Sequence, residues 1–464
     1  MILYRVLRAF GRLALRWFYS DVEVVGIEHL PSQGPALLAS NHPNALVDAL
    51  VIGCTLRRPV TLTAKATLLE NPVSRWLLRS VGVVPLRRAS DDANRAAGGA
   101  LDPSRNAAAF TAVLDALQAG RVVLLFPEGK SHSEPELAPL KTGLARMALM
   151  ARDERRITAL PVIPIGLTFE RKWDPRSRVL MHIGAPISID EIEPNADQVA
   201  VLTALVNAGL REVTLNFPSA EDAKRILALS SVLAEVFDEF RPLGAPDPPL
   251  AESVKLAHRI STIAPRLRDL DPAIAARIEM FLSRFAAFEH TTQQHTIAAS
   301  DVQMSTALGP GAWFTVRELL IAAVAGPLAL WGRMNHWAPL RLARLLGKRT
   351  SRTPDEPAMN TIVAGLVLVL LFYAGQTTLV GWLFGWWIAI AYAISLPFSA
   401  TWDIRYADRR RRAASRIRTY LLFRRDRELH EQLLAELNWL RREAVELNAS
   451  LTPTFGHLEG VKSA

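Results

Sequence analysis

A histidine and an aspartate six positions apart, His42 and Asp48, stand in the run Ser40-Asn41-His42-Pro43-Asn44-Ala45-Leu46-Val47-Asp48. An imidazole partnered by a carboxylate is a base whose ordinary pKa, about 6.5, suits removal of a hydroxyl proton near neutrality. The carboxylate would fix the ring's tautomer and stabilise the imidazolium. Six positions do not share one face of a regular helix. The pair can meet only if His42 lies in a loop, with Asn44 capping a helix that turns Asp48 back towards it. Taken alone, the run is equally compatible with a structural His-Asn turn followed by a surface acid.

Three further clusters follow. Gly82-Val83-Val84-Pro85-Leu86-Arg87-Arg88 ends a short apolar run in two arginines, and Arg88 has the fork geometry to grip a phosphate. Phe126-Pro127-Glu128-Gly129-Lys130-Ser131, with Lys141 downstream, ends an apolar run in a carboxylate and a glycine that allows close backbone approach. Glu128, Gly129, Lys130 and Lys141 suit a hydroxylated, phosphorylated acceptor. The Gly-Lys-Ser triplet is no phosphate-binding P-loop, because Leu124 stands where that motif needs its first glycine. His132 reads as a solvated loop histidine rather than a second base. Leu160-Pro161-Val162-Ile163-Pro164-Ile165-Gly166 places two prolines in an apolar run; prolines predict a strand edge or end, bordering an acyl channel or the core. No GxSxG nucleophile elbow occurs, and the single cysteine, Cys54, falls in an apolar helical run where an inert core thiol is expected.

These clusters need a scaffold, and residues 21–195 read as an α/β domain. Short β-rich runs at 22–27, 36–40, 60–64, 83–86, 122–126, 160–167 and 179–183 alternate with helical stretches, clearest at 106–119 and 142–152. The runs 36–40 and 122–126 are continuously apolar, as central strands covered on both faces should be. His42 then follows a strand and precedes a helix, where reactive groups are commonly presented. Residues 89–105 lack periodicity and read as a surface loop.

Around the domain, the chain segregates its apolar and charged residues. Half are hydrophobic and 21% are charged, with a net charge of +9 that suits an anionic partner. In residues 1–20, Arg5, Arg8, Arg12 and Arg16 share one helical face and Leu3, Val6, Phe10, Leu13 and Trp17 another. That pattern is expected of a helix lying in a membrane interface. Residues 196–310 read as a polar-apolar helical region without evident chemistry, broken at Pro218 and by a linker at 242–249. Residues 311–404 read as membrane, with a two-helix hairpin at about 360–397 turning at Gly375-Gln376 and both flanks basic, hence cytoplasmic. The run 319–331, interrupted by Pro327, reads as re-entrant or interfacial. Residues 405–464 form a basic, charged helical tail whose leucines at helical spacing suit self-association.

The four blocks, in the order Asn-His-Pro…Asp, Gly-x-x-Pro-x-x-Arg, Phe-Pro-Glu-Gly-x-Ser and Val-Ile-Pro, resemble those of the glycerolipid acyltransferase family. The membrane hairpin and basic tail look like its longer glycerol-3-phosphate/dihydroxyacetone phosphate branch. The family's commonest pattern has four residues between His and Asp; five stand here, as in that branch. The resemblance implies a mixed, mostly parallel sheet with flanking helices, followed by a helical region and the transmembrane hairpin. It also implies transfer of a fatty acyl group from an acyl thioester to a hydroxyl of glycerol-3-phosphate or 1-acylglycerol-3-phosphate. His42 would be the base and Asp48 its partner. Arg88 would bind the acceptor phosphate, Glu128 and Gly129 would shape the acceptor site, and Pro164 would lie on the donor side. No cofactor or metal is implied beyond acyl-CoA or acyl carrier protein as donor, and no nucleic-acid partner. Another lysophospholipid or membrane-lipid hydroxyl as acceptor, and a non-catalytic lipid-binding protein, are the alternatives.

Overall fold

The computed structural model describes residues 2–65, 75, 82–86, 107–236, 249–263, 272–351 and 357–455. Two compact units result: residues 1–219 with 346–363, and residues 220–345 with 364–464. Arg88, the loop 89–105 and the linker up to residue 248 lie outside the described residues.

The first unit is built on strands β1 (Asp21–Val25), β2 (Ala36–Ser40), β3 (Val60–Lys65), β4 (Val84–Leu86), β5 (Val122–Leu125), β6 (Pro161–Phe169), β7 (Arg178–Ile183) and β8 (Ile187–Ser188). Their order is β1-β7-β6-β2-β5-β3-β4, with β8 on β6. All pairs are parallel except β6–β7 and β6–β8, so the sheet is mixed and mostly parallel. Every residue of β2 and β5 is buried, which is why both read as unbroken apolar runs. Helices α1 (Ile2–Phe18) and α2 (Ala45–Thr55) cover one face; α3 (Ala107–Gln118), α4 (Gly143–Asp153) and α5 (Gln198–Val213) cover the other. On the α2 side Leu38, Leu124 and Ile163 meet Val47 and Val51. On the opposite side Leu37 and Val123 share a core with Leu117, Ala148 and Leu202. Each such leucine or valine stabilises the fold by about 1.5–3 kcal/mol.

Two expectations need correcting, and one strand escaped the sequence. β6 is an interior strand between β2 and β7, despite Pro161 and Pro164. Pro161 opens the strand. The Pro164 carbonyl accepts the Gly184 N–H at 2.8 Å, so the side from which proline lacks a donor faces the place where pairing passes from β8 to β7. The α/β unit also runs past residue 195: α5 buries Leu202, Val206 and Leu210 on the sheet. Finally, β8 was not legible, being two residues long.

Helix α1 is docked by Gly11, Leu15 and Phe18, with Arg12 donating to the Cys54 carbonyl at 2.7 Å and Arg8 to those of Leu56 and Arg57, at the end of α2. Its stripe of Leu3, Val6 and Phe10 stays exposed.

The second unit is helical: α6 (Ala220–Val236), α7 (Leu250–Ile263), α8 (Pro272–Gln294), most of α9 (Leu308–Thr350) and α10 (Pro357–Phe384), then α11 (Trp386–Arg425) and α12 (Arg427–Phe455). Residues 319–331 are no separate re-entrant piece but part of α9, which continues through Pro327 and Pro339. Gly311–Thr350 and Pro357–Phe384 are long and apolar enough to cross a membrane, with mean hydropathies of 1.5 and 2.0. The chain breaks at Gly385, at φ 90°, rather than at Gly375-Gln376, through which α10 is continuous. The tail helix α12 packs within the chain: Phe281, Phe285 and Phe288 of α8 share a core with Leu433, Leu437 and Leu440. Arg277 reaches Glu443 at 2.8 Å. These leucines are thus spent inside the chain rather than on self-association.

Candidate active site

The C-terminal ends of β2 and β5 build the site. Their register pairs Ala36 with Val122 and Ala39 with Leu125, and the same offset continues past both ends. The His42 N–H donates to Glu128 Oε1 at 2.8 Å. Asn41 holds the loop from its other side: its amide Nδ2 donates to the Leu167 carbonyl at 3.1 Å, and its Oδ1 accepts the Leu167 N–H at 2.7 Å. His42 thus sits in the loop, one residue past this two-point bridge to β6.

The His42 ring is held in three ways. Nδ1 lies 2.9 Å from Asp48 Oδ2. One face stacks on Phe126 at 3.9 Å between centroids and 14° between planes. Only 10% of the side chain is exposed. Beside an ionised Asp48, Nδ1 carries the proton and donates, leaving a lone pair on Nε2 for a hydroxyl.

Asp48 meets His42 as the spacing required, but Asn44 does not act through its side chain. It occupies the N-cap position of α2 without a side-chain cap bond. Its backbone N–H instead donates to Asp48 Oδ2 at 2.8 Å, the return arm of a capping box made by an aspartate one position later than usual. The next residue, Ala45, takes φ 45°, a left-handed conformation that costs a non-glycine residue about 1–2 kcal/mol. The Asn44 amide group donates to the Lys172 carbonyl and the Tyr19 hydroxyl. Burial pushes the Asp48 carboxyl above its usual 3.8, against the downward pull of the His42 hydrogen bond, the Asn44 N–H and the Lys172 charge. Burial also raises the Tyr19 hydroxyl.

Glu128 is 3% exposed. Its second oxygen accepts the Ala138 N–H at 2.9 Å and also meets His132 Nε2. The turn that carries it needs Gly129, at φ 75° with its N–H on the Phe126 carbonyl. The Lys141 N–H donates to the Pro127 carbonyl at 2.7 Å, and Lys141 Cγ would be 3.4 Å from a β-carbon on Gly129. Lys130 and Lys141, both exposed, therefore flank one turn. β4 ends at Leu86 on the same parallel edge; Arg88 lies beyond the described residues. Pro164 is buried, with its ring against Gly184 and Gly209, which sets it in the core beneath α5 rather than on an open channel.

His132 is no solvated loop residue, being 13% exposed and bonded to Glu128. Sequence reasoning also missed Tyr19, Lys172 and the roles of Phe126 and Asn41. Of these only Asn41 and Phe126 carried a signal, since each adjoins a quoted motif residue. Cys54 is buried under Gly11, and desolvation pushes its thiol up to about 11, which leaves it a poor nucleophile. Among the described residues, no group of three or more His, Cys, Asp or Glu side chains could hold a metal ion.

A family model described as Acyltransferase matches residues 21–168, from β1 into β6. The chain is 26% identical to Glycerol-3-phosphate O-acyltransferase 1 of Saccharomyces cerevisiae, with 42% of this chain and 26% of that protein covered. It is 26% identical to a chloroplastic 1-acyl-sn-glycerol-3-phosphate acyltransferase of Brassica napus, with 35% and 41% covered. The crystal structure of the 1-acyl-sn-glycerophosphate acyltransferase from Thermotoga maritima overlaps 45% of this chain and 79% of its own, with a TM-score of 0.34 and 19% identity. The chain spans less than half the length of the curated relatives it matches.

Proposed function

We propose that this chain, whose residues 21–168 form an acyltransferase-family domain, moves a fatty acyl group from an acyl thioester to a hydroxyl of glycerol-3-phosphate or 1-acylglycerol-3-phosphate, in phospholipid synthesis. The observation that carries the reading is the buried His42–Asp48 pair at 2.9 Å, with Nε2 as the ring's remaining nitrogen. Two relatives are named for these acceptors, glycerol-3-phosphate and its 1-acyl ester, and supply the substrate class.

In the proposed reaction Nε2 of His42 takes the acceptor hydroxyl proton as its oxygen attacks the thioester carbonyl carbon. Asp48 stabilises the imidazolium. The tetrahedral oxyanion collapses, the carbon–sulfur bond breaks, and the imidazolium returns its proton to the departing thiolate. Attack is direct, since Cys54 is buried with its thiol proton held. Lys130 and Lys141, flanking the Gly129 turn, and Arg88 supply positive charge for the acceptor phosphate. Glu128 shapes the site from behind, through the loop it holds. Pro164 supports the donor side from the core.

The protein acts at a membrane. α10 and the apolar first part of α11 are the proposed membrane hairpin. Residues 346–363, which lead into it, belong to the α/β unit, and Ala358 and Ile362 are buried in its core. Lys348 and Arg349 precede the hairpin and Arg405 and Arg409 follow it, so the positive-inside rule puts both flanks, and the active site with them, on the cytoplasmic side. The exposed Leu3-Val6-Phe10 stripe of α1, beside Arg5, suits the interface of the same leaflet.

The test is purified full-length protein in detergent with radiolabelled glycerol-3-phosphate or its 1-acyl ester, and acyl-CoA or acyl carrier protein as donor. Labelled lysophosphatidate or phosphatidate supports the reading and identifies acceptor and donor. Bound phosphatidate with no ester formed from any pair would replace it with a lipid-binding role.

A further inference from the structure

We infer that His132 is a positioning residue, which acts through Glu128 to clamp the backbone of His42 on both sides. Three contacts and the chain itself close a ring. The His42 N–H donates to Glu128 Oε1 at 2.8 Å. Glu128 Oε2 meets His132 Nε2. The His132 backbone N–H donates to the His42 carbonyl at 3.2 Å, and the chain through His42 joins the two ends. The base is thus gripped at its own N–H and C=O, while Asp48 and Phe126 fix only its ring.

The ring explains why a glutamate is buried here. Taking a carboxylate out of water is costly unless donors replace the lost hydration. Glu128 receives two backbone N–H groups, from His42 and Ala138, and the His132 side chain. With both oxygens engaged and 3% exposure, Glu128 has no face for a substrate; its use is to hold others. His132 stands four residues on, and the Gly129 turn brings it back over Glu128. Loss of the His132 side chain leaves one Glu128 oxygen with a single donor and loosens the carboxylate that holds His42. A base that must meet a hydroxyl within hydrogen-bond reach loses rate when its loop wanders, while substrate affinity is little altered.

The kinetic arm of the test rests on the acyl-transfer reading; the second arm does not. In full-length protein in detergent, His132→Leu keeps bulk but cannot bond to Glu128, whereas His132→Gln keeps an N–H donor. Expected for His132→Leu is a kcat lower by about tenfold or more, as one hydrogen bond to a charged group would give, with KM for both substrates within about twofold. His132→Gln is expected to recover most of that loss. By hydrogen-exchange mass spectrometry, the peptide spanning the β2–α2 turn should exchange faster in His132→Leu, with β5 and β6 still protected and the Gln variant near wild type. Four results would each overturn the clamp: wild-type kcat and protection in His132→Leu, protection lost across the whole sheet, KM rising in step with the fall in kcat, or a Gln variant as impaired as the Leu one. A wild-type protein without acyltransferase activity would end the proposed function, and the exchange arm would still decide the clamp.

Discussion

Asp48 Oδ2 takes two hydrogen bonds at once, from the ring of His42 at 2.9 Å and from the backbone N–H of Asn44 at 2.8 Å. One carboxylate oxygen thereby fixes both the tautomer of the base and the first turn of the helix that follows. Asp48→Asn keeps the shape and an acceptor oxygen for both bonds but removes the negative charge that stabilises the imidazolium. Turnover is expected to fall by about 10³–10⁴-fold, with the circular dichroism spectrum unchanged.

The same substitution separates stability from activity by pH. Burial raises the Asp48 pKa above 3.8, so the folded state favours the protonated acid. The stability this gives is complete below the unfolded value and is lost as pH rises through the folded one. Denaturant titrations from pH 4 upward should therefore show the wild type losing ground to Asp48→Asn. Over the same interval the wild-type rate should climb as Asp48 ionises. Parallel stability curves would refute the assignment.

Ala45 holds φ 45° immediately after the cap position. Ala45→Gly removes the left-handed strain and should stabilise the protein by up to about 1 kcal/mol, read as a higher Tm. The freer turn should lower kcat by a few-fold, since a residue bonded to Asp48 is its neighbour.

Cys54 should be dispensable for chemistry. Cys54→Ala is expected to keep kcat within about twofold, and native protein should resist thiol reagents at neutral pH, because the sulfur is buried with its pKa near 11. Rapid inactivation by a thiol reagent would revive an acyl-enzyme route.

How far the sequence carried depended on the kind of signal. Ala36–Ser40 and Val122–Leu125 were legible because strands covered on both faces must be apolar throughout. The spacing of His42 and Asp48 left their encounter an even choice against a structural turn, and only the four blocks taken together favoured it. What escaped was whatever depends on which elements become neighbours. Proline preference argued for an edge at β6, but a local change of pairing partner accommodates Pro164 in the interior. Helical periodicity identified α5 and α12 without saying what their apolar faces would cover. His132 looked like any loop histidine until the β2–β5 register brought Glu128 to His42. The break at Gly385 was misjudged because nothing separates it by composition from Gly375; only the backbone does, with φ 90° at one and an unbroken helix at the other.

Close packing in the helical unit gives a further expectation. A β-carbon on Gly332 would collide with the Ser399 carbonyl oxygen, so α9 and α11 meet there through backbone, as small residues permit. Gly332→Leu should lower the yield of folded protein from detergent. Trypsin should also cut more readily within 405–412.

The most direct measurement is the rate of His42→Ala, assayed in the full-length protein with the acyl thioester and glycerol phosphate that the wild type uses. A fall of about 10²–10⁴-fold in kcat is expected for removal of a general base, with the melting curve and acceptor KM close to wild type. A variant that still turns over near the wild-type rate would contradict base catalysis by His42 and the account built on it.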